Sequence, residues 1–264
     1  MAGPRTVFLM YHELELPGRR LCQSDPGYVR YTLPVAEFQA QIEFLKTAGW
    51  HGVSVGTALA PQTSPAIAIT FDDGCETDCL TAAPLLKQAG FGATFYITTG
   101  FLGKPGYMSP SQARQLGEQG FELGCHSMSH SYLTDLDEAG LRCEIGDAKR
   151  KLEDVAGGPV EHFSCPGGRY DQRVAEMARE AGYSTVATSR AHANGPNTDR
   201  FALGRVAVMR DLSLRVFEGI CSGEALRTMA LRDSFRNSAK RVLGNTVYDR
   251  VRAALLRNPS GAKS

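Results

Sequence analysis

The chain lacks the features that would place it among nucleic-acid-binding, membrane-spanning or disulfide-rich secreted proteins. Its net charge is +1 over 264 residues, so nothing in the overall balance draws it to nucleic acid, and no nucleic-acid partner is expected. The opening MAGPRTVFLMYHELE holds one arginine and an apolar run of only four residues, 7–10, too short for a signal-peptide core or a membrane span. Seven cysteines, at 22, 75, 79, 125, 143, 165 and 221, show no paired zinc-ribbon spacing. An odd, scattered set suits a reducing compartment better than a disulfide framework, and Cys75 and Cys79 read as small buried hydrophobes. These absences predict a cytoplasmic protein. Trp50 is the only tryptophan and is expected to pack between helix and sheet, not to form a sugar platform.

What is present is an ordinary globular composition, with 42% hydrophobic and 22% charged residues in a length that supports one large α/β domain. Charge is uneven along it. Residues 222–264 carry nine Lys/Arg against three Asp/Glu, a net of +6, which leaves −5 for the first 221 residues. The chain therefore divides into a catalytic-sized body, 1–221, and a basic tail, 222–264. In the tail an apolar stripe from Leu231 through Phe235, Val242 and Val247 to Val251 recurs at helical spacing, with Lys240 and arginines on other faces. Either this helix packs on the body or it rests on anionic lipid, a peripheral contact at the inner face of the membrane.

The body repeats one unit. Ala48-Gly49-Trp50, Ala89-Gly90-Phe91, Gln119-Gly120-Phe121 and Ala181-Gly182-Tyr183 each put a glycine at a helix end and an aromatic at the entry to the next apolar run. Strands are expected near 7–10, 51–55, 66–70, 93–98, 121–125, 161–164, 183–187 and 205–209. Helices are expected near 35–48, 78–89, 110–119, 135–156, 171–181 and 212–220, and 17–34 reads as a long loop. Such alternation predicts a parallel sheet, and seven or eight units suggest a barrel whose active site gathers at the C-terminal strand ends.

Two stretches at such ends carry chemistry. Residues 66–74, AIAITFDDG, run from a buried strand into adjacent carboxylates. Strand geometry sends Asp72 and Asp73 to opposite sides, so one suits a metal ligand and the other a proton acceptor; alone, the pair would also fit a turn with a helix-capping acid. Residues 126–130, HSMSH, follow the strand at 121–125, and two histidines four apart on one face of a helical turn would converge on a divalent ion. Two His and one Asp leave open positions for water and a carbonyl oxygen, the pattern of a catalytic rather than a structural metal. His51, His162 and His192 read as a strand-edge residue, a solvent-facing residue and a loop residue.

Thr70-Phe71-Asp72-Asp73-Gly74, then His126-Ser-x-x-His130, then Phe163-Ser-Cys-Pro166-Gly-Gly168 resemble the motifs of the NodB-homology polysaccharide deacetylases, of carbohydrate esterase type, over about residues 5–210. The resemblance implies a deformed (β/α) barrel that hydrolyses N-acetyl groups on amino sugars with a divalent metal, commonly Zn²⁺. It implies Asp72 as general base, Asp73, His126 and His130 as metal ligands, and the N–H of Gly167 as an oxyanion donor. The family's arginine that orients the catalytic Asp is absent at Ser164, with Arg205 or Arg169 as candidate substitutes. Its late Leu-x-His general acid is also missing. A branch of the family with an N-terminal Tyr-His resembles Met10-Tyr11-His12 here, which implies His12 as the acid, while Tyr170 and Tyr107 would line a saccharide groove.

The expected function is N-deacetylation of an amino sugar in a glycan or lipid-linked glycan precursor. A deformylase or other amide hydrolase on the same metal site is the first alternative. The second is an inactive glycan-binding protein, motivated by Ser164.

Overall fold

Apolar runs covered on both faces become the strands of a curled parallel sheet in the computed structural model, which describes residues 5–61, 64–226 and 228–229. The eight strands are β1 (Val7–Tyr11), β2 (His51–Val53), β3 (Ala66–Phe71), β4 (Thr94–Ile97), β5 (Glu122–Cys125), β6 (His162–Ser164), β7 (Thr185–Ala187) and β8 (Val206–Ala207). Every residue of β1 and β3 is buried.

The sheet order is β8-β1-β3-β4-β5-β6-β7, with β2 beside the first half of β3. Each β3 edge position therefore has its own neighbour: Ala66–Ala68 faces β2, while Thr70 and Phe71 face β4. Leu203 bridges Ala187 of β7, and β8, three residues on, pairs with β1. One segment thus touches both free edges and closes a deformed (β/α) barrel. That closure carries Arg205, between Leu203 and β8, into the interior.

The longer helices are α1 (Val35–Thr47), α2 (Ala83–Ala89), α3 (Pro110–Glu118), α4 (Ala148–Ala156), α5 (Gln172–Glu180) and α6 (Leu214–Cys221). Local chemistry sets their ends. Ser109 and Gln112 form a capping box at α3 with Pro110 in the first turn, and Asp171 caps α5 through the Val174 N–H. Gly49, Gly90, Gly120 and Gly182 all adopt the left-handed conformation that ends a helix before the next strand. Tyr11, Phe71 and Phe95 stack in series at 5.2 and 5.1 Å through the core.

Two expectations need correction. The run 135–156 is helical only from Glu138 and is not α-helical throughout: Glu138–Leu141 continues through a π-helical stretch, Arg142–Asp147, into α4, and a second π turn, Asp78–Ala82, precedes α2. The segment 17–34 is not all loop, since Pro26–Val29 is a helical turn and Leu33–Pro34 pairs with Leu14–Glu15. Trp50 packs half-buried against the core. The tail stripe from Leu231 to Val251 lies outside the described residues, among which no helix is long and apolar enough to cross a membrane.

Candidate active site

The C-terminal end of β3 delivers two buried carboxylates with different partners. Asp72 still belongs to the ladder, its N–H donating to the Tyr11 carbonyl at 2.9 Å, whereas Asp73 turns into the left-handed region at φ 78°. They are 2% and 4% exposed, so neither charge can be left to water.

Asp72 is held by Arg205. The guanidinium presents Nη1 to Oδ1 at 2.7 Å and Nη2 to Oδ2 at 2.8 Å, a two-bond fork. The remaining donors of Arg205 reach Ser164 Oγ at 2.6 Å, Thr70 Oγ1 at 3.1 Å and the Thr188 carbonyl at 3.2 Å. Burial pushes the Asp72 carboxyl up, but the Arg205 charge, the nearby His126 and the fork outweigh it and hold it well below the usual carboxylate range. Ser164 stands where the resemblance expects an arginine, and its hydroxyl contacts Asp72 Oδ2 at 3.4 Å. Arg169 does not substitute; its guanidinium lies over the Tyr132 ring.

Asp73 faces the two histidines. Its Oδ1 lies 3.6 Å from His126 Nε2 and 3.4 Å from His130 Nε2. Ligands about 2.0–2.1 Å from a tetrahedral ion are separated by about 3.4 Å, so the three atoms fit one divalent cation. Asp73 Oδ1 is buried without a hydrogen-bond partner, the state of an acceptor shaped for a cation. His126 Nδ1 sits 2.9 Å from the Ser164 carbonyl, which accepts the ring proton there and leaves Nε2 free for the ion. Burial pushes the His126 imidazole down to about 4, against the pull of Asp72.

The histidine pair does not sit on a helical turn. Residues 126–130 form a loop with Ser127 and His130 at φ 67° and 64°, and the rings still meet at 5.0 Å. Strained backbone in both Asp73 and His130 persists only because neighbours fix it. Glu144, from the π-helical stretch, accepts from the N–H groups of Met128 and Ser129 at 3.0 and 2.8 Å and from the Ser129 hydroxyl. On the other side Gly100 donates to the Met128 carbonyl, and a Cβ there would lie 2.4 Å from that oxygen. Nothing in local sequence marks Glu144 or Gly100; only their three-dimensional placement does.

His12, half-buried past the end of β1, packs at a tilt on Tyr31 with ring centroids 5.1 Å apart, and its buried Nδ1 has no hydrogen-bond partner. Burial lowers its ordinary value while Asp73 and Asp72, close enough to be felt, pull it back up. Tyr11 points the other way, into the core, where its hydroxyl donates to Gln41. Gly167 lies in the turn Pro166–Gly168 at φ 59° with Tyr132 against it, and the N–H groups of Gly168 and Arg169 close that turn. Tyr170 is half-buried under Arg190. Tyr107 packs on Phe101, which in turn faces His130 at 6.3 Å.

His162 corrects its expectation. It is 5% exposed, with Nε2 3.3 Å from Glu122 of the adjacent β5 and Nδ1 against the Thr185 hydroxyl. A cross-strand carboxylate satisfies it inside the sheet. His51 is exposed at the edge strand β2, and His192 is half-buried in its loop.

The polysaccharide deacetylase family model matches residues 60–186, which span both motif stretches. A peptidoglycan-N-acetylglucosamine deacetylase of Bacillus cereus is 35% identical over 127 residues, 48% of this chain and 57% of that protein, so the match spans little more than half of the relative. YxkH of Bacillus subtilis, named provisionally as a polysaccharide deacetylase, is 26% identical over 215 residues, 79% of this chain and 73% of that protein. In fold, the crystal structure of BC0361, a polysaccharide deacetylase from Bacillus cereus, superposes with a TM-score of 0.73 at 21% identity, over 83% of this chain and 69% of that one.

Proposed function

We propose that this chain, whose residues 60–186 match the polysaccharide deacetylase family model, is a metal-dependent hydrolase that removes N-acetyl groups from an amino sugar in a glycan or lipid-linked glycan precursor. The observation that carries the metal requirement is Asp73 Oδ1, buried without a partner between two histidine Nε2 atoms and beside an arginine-clamped Asp72. Asp73, His126 and His130 would hold the divalent ion, zinc by donor set, which when bound supplies Lewis-acid polarisation of the amide carbonyl and acidifies water.

The chain's own residues do the rest. Asp72, kept ionised by Arg205, takes the proton from the attacking water. The bidentate fork fixes the carboxylate plane so that the accepting lone pair points to one place. The Gly167 N–H donates to the oxygen that gains charge as the carbonyl is attacked. His12, just past the end of β1 at the same strand ends as Asp72, gives a proton to the departing amine. The half-buried Tyr170 and Tyr107 offer ring faces to the sugar. Products are acetate and a free amino sugar. Arg205 also removes the motive for reading the chain as an inactive binder, since the carboxylate that Ser164 leaves without its expected arginine is clamped from the segment just before β8. We place the activity in the cytoplasm, with the basic residues 222–264 as a contact to anionic lipid.

The test is metal content of protein purified without chelator, coupled to acetate release from short N-acetylglucosamine oligomers. About one active-site metal per chain, with release abolished in Asp72→Asn while metal stays bound, is expected. Bound metal with no acetate from any acetylated sugar, but turnover of a formylated amine, would replace this reading with the deformylase.

A further inference from the structure

A second group of metal-ligating side chains lies behind the active-site loop. Glu13, Cys22 and Cys75 come from the end of β1, the 17–25 connection and the residue after Gly74, and their ligand atoms lie within 4.8 Å of one another. Glu13 and Cys75 are fully buried, and Cys22 is partly so. The sulfurs are 3.7 Å apart. That is too far for a disulfide, whose sulfurs are about 2.05 Å apart. It is the edge of a tetrahedral site, since two thiolates about 2.3 Å from one ion stand about 3.8 Å apart.

The surroundings fix the ligand atoms in place. The Glu13 carboxylate accepts from the Cys22 N–H at 2.9 Å and the Tyr28 hydroxyl at 2.9 Å, bonds that fix its position and leave lone pairs to spare. Tyr28 Oη also lies 3.4 Å from Cys75 Sγ. The Cys22 sulfur is 3.1 Å from the Gly106 carbonyl, to which the thiol donates. Asp78 is wholly buried, with neither carboxylate oxygen hydrogen-bonded, and it is close enough to feel Glu13, Cys22 and Asp73. Burial pushes the Asp78 carboxyl well up, so it is kept as the neutral acid, whereas the Glu13 carboxylate and the two sulfurs lie close enough to share one cation. No Lys or Arg reaches Glu13, Cys75 or Asp78 among the described ion pairs.

We propose that Glu13, Cys22 and Cys75 form a second, structural site for a borderline-soft divalent cation of the zinc class, with the Asp78 carboxylate as the nearby additional acid. Two sulfurs and one carboxylate oxygen favour zinc over magnesium or calcium. On binding, each thiol releases its proton to solvent as its sulfur ligates the ion, with no change of oxidation state. The site ties the 17–25 connection to Cys75, two residues after Asp73, so the same loop would carry one ligand to each of two ions.

The two sites separate spectroscopically because the Asp73, His126 and His130 group holds no sulfur. Full-length protein, reduced and stripped of metal, is titrated with Co²⁺ without oxygen. A thiolate-to-cobalt charge-transfer band in the near ultraviolet is expected in wild type, retained in His126→Ala and lost in Cys22→Ser, whose hydroxyl keeps the donor to the Gly106 carbonyl. No such band in wild type at saturating Co²⁺, or a band that survives Cys22→Ser, overturns the proposal. Should Cys22→Ser fail to fold, wild type alone decides, with zinc shielding two thiols from alkylation for each ion bound at this site. Equal alkylation with and without zinc counts against it, as does conversion of Cys22 and Cys75 to a disulfide with no metal uptake.

Discussion

Arg205 grips Asp72 with two parallel bonds of 2.7 and 2.8 Å although the two residues are 133 positions apart in sequence. The pair is buried, with Arg205 at 1% and Asp72 at 2% exposure, so its energetics are those of an interior ion pair. Removing one partner strands the other charge, at a cost of about 3–5 kcal/mol. Arg205→Met should therefore lower the unfolding midpoint in denaturant markedly. It should also let the Asp72 carboxyl rise toward and above its ordinary value, moving the acid limb of the kcat/KM profile to higher pH. Arg205→Lys keeps the charge but not the fork, and should recover part of the stability with less of the rate. An unchanged pH profile in Arg205→Met would mean that the fork is only structural.

This pairing also marks the limit of what sequence reading reaches. Asp72, Asp73, His126 and His130 are legible because each lies within a residue or a short loop of a strand end, so strand periodicity alone puts them on one rim. Arg205 is a candidate, with Arg169, only because the resemblance expects an arginine that Ser164 replaces, and its contact depends on the barrel closing through Leu203 and β8, which no local pattern encodes. His162 reads as solvent-facing because its partner, Glu122, belongs to another strand. The loop at 126–130 reads as helical because spacing of four suits a helix, while non-glycine residues at positive φ leave no compositional trace. Cys22 and Cys75 look unrelated until the 17–25 connection folds across the β3 end.

Glu144 should control metal affinity without touching the metal. It accepts two backbone N–H groups and a hydroxyl from the loop between the two histidines, and Gln offers one carbonyl oxygen in place of two carboxylate oxygens. Glu144→Gln is expected to weaken zinc binding at the catalytic site by about tenfold to a hundredfold, measured by competition with a chromophoric chelator, with the circular dichroism of the fold unchanged. Undiminished affinity would show that Ser127, which accepts from the His130 N–H at 3.0 Å, holds the loop unaided.

In the chelated protein, His126 makes stability depend on pH. Burial holds its imidazole down to about 4, whereas the unfolded chain takes up that proton near its ordinary value of about 6.5. Between those values the unfolded state binds more protons than the folded one. Its contribution is therefore fully present above about pH 6.5 and drains away as pH falls toward 4, by about 3 kcal/mol in all. Thermal unfolding of metal-free wild type and His126→Asn across this window should show a steeper fall for wild type. Parallel curves would assign the acid sensitivity elsewhere.

His12 can be separated from the metal ligands by changing the leaving group. An amine leaves only after it gains a proton, whereas a phenolate of low basicity leaves without one. His12 stands on the rim with an unpartnered Nδ1 and within the field of Asp72 and Asp73, and in the proposed function it supplies that proton. His12→Gln is expected to lose about 10²–10⁴-fold in kcat on an N-acetylated amino sugar, to keep its metal content, and to lose far less on an aryl acetate attacked at the same carbonyl. If both substrates lose activity equally, His12 acts on a step common to them, such as positioning water or supporting the Asp73 loop, and the amine's proton must come from another group.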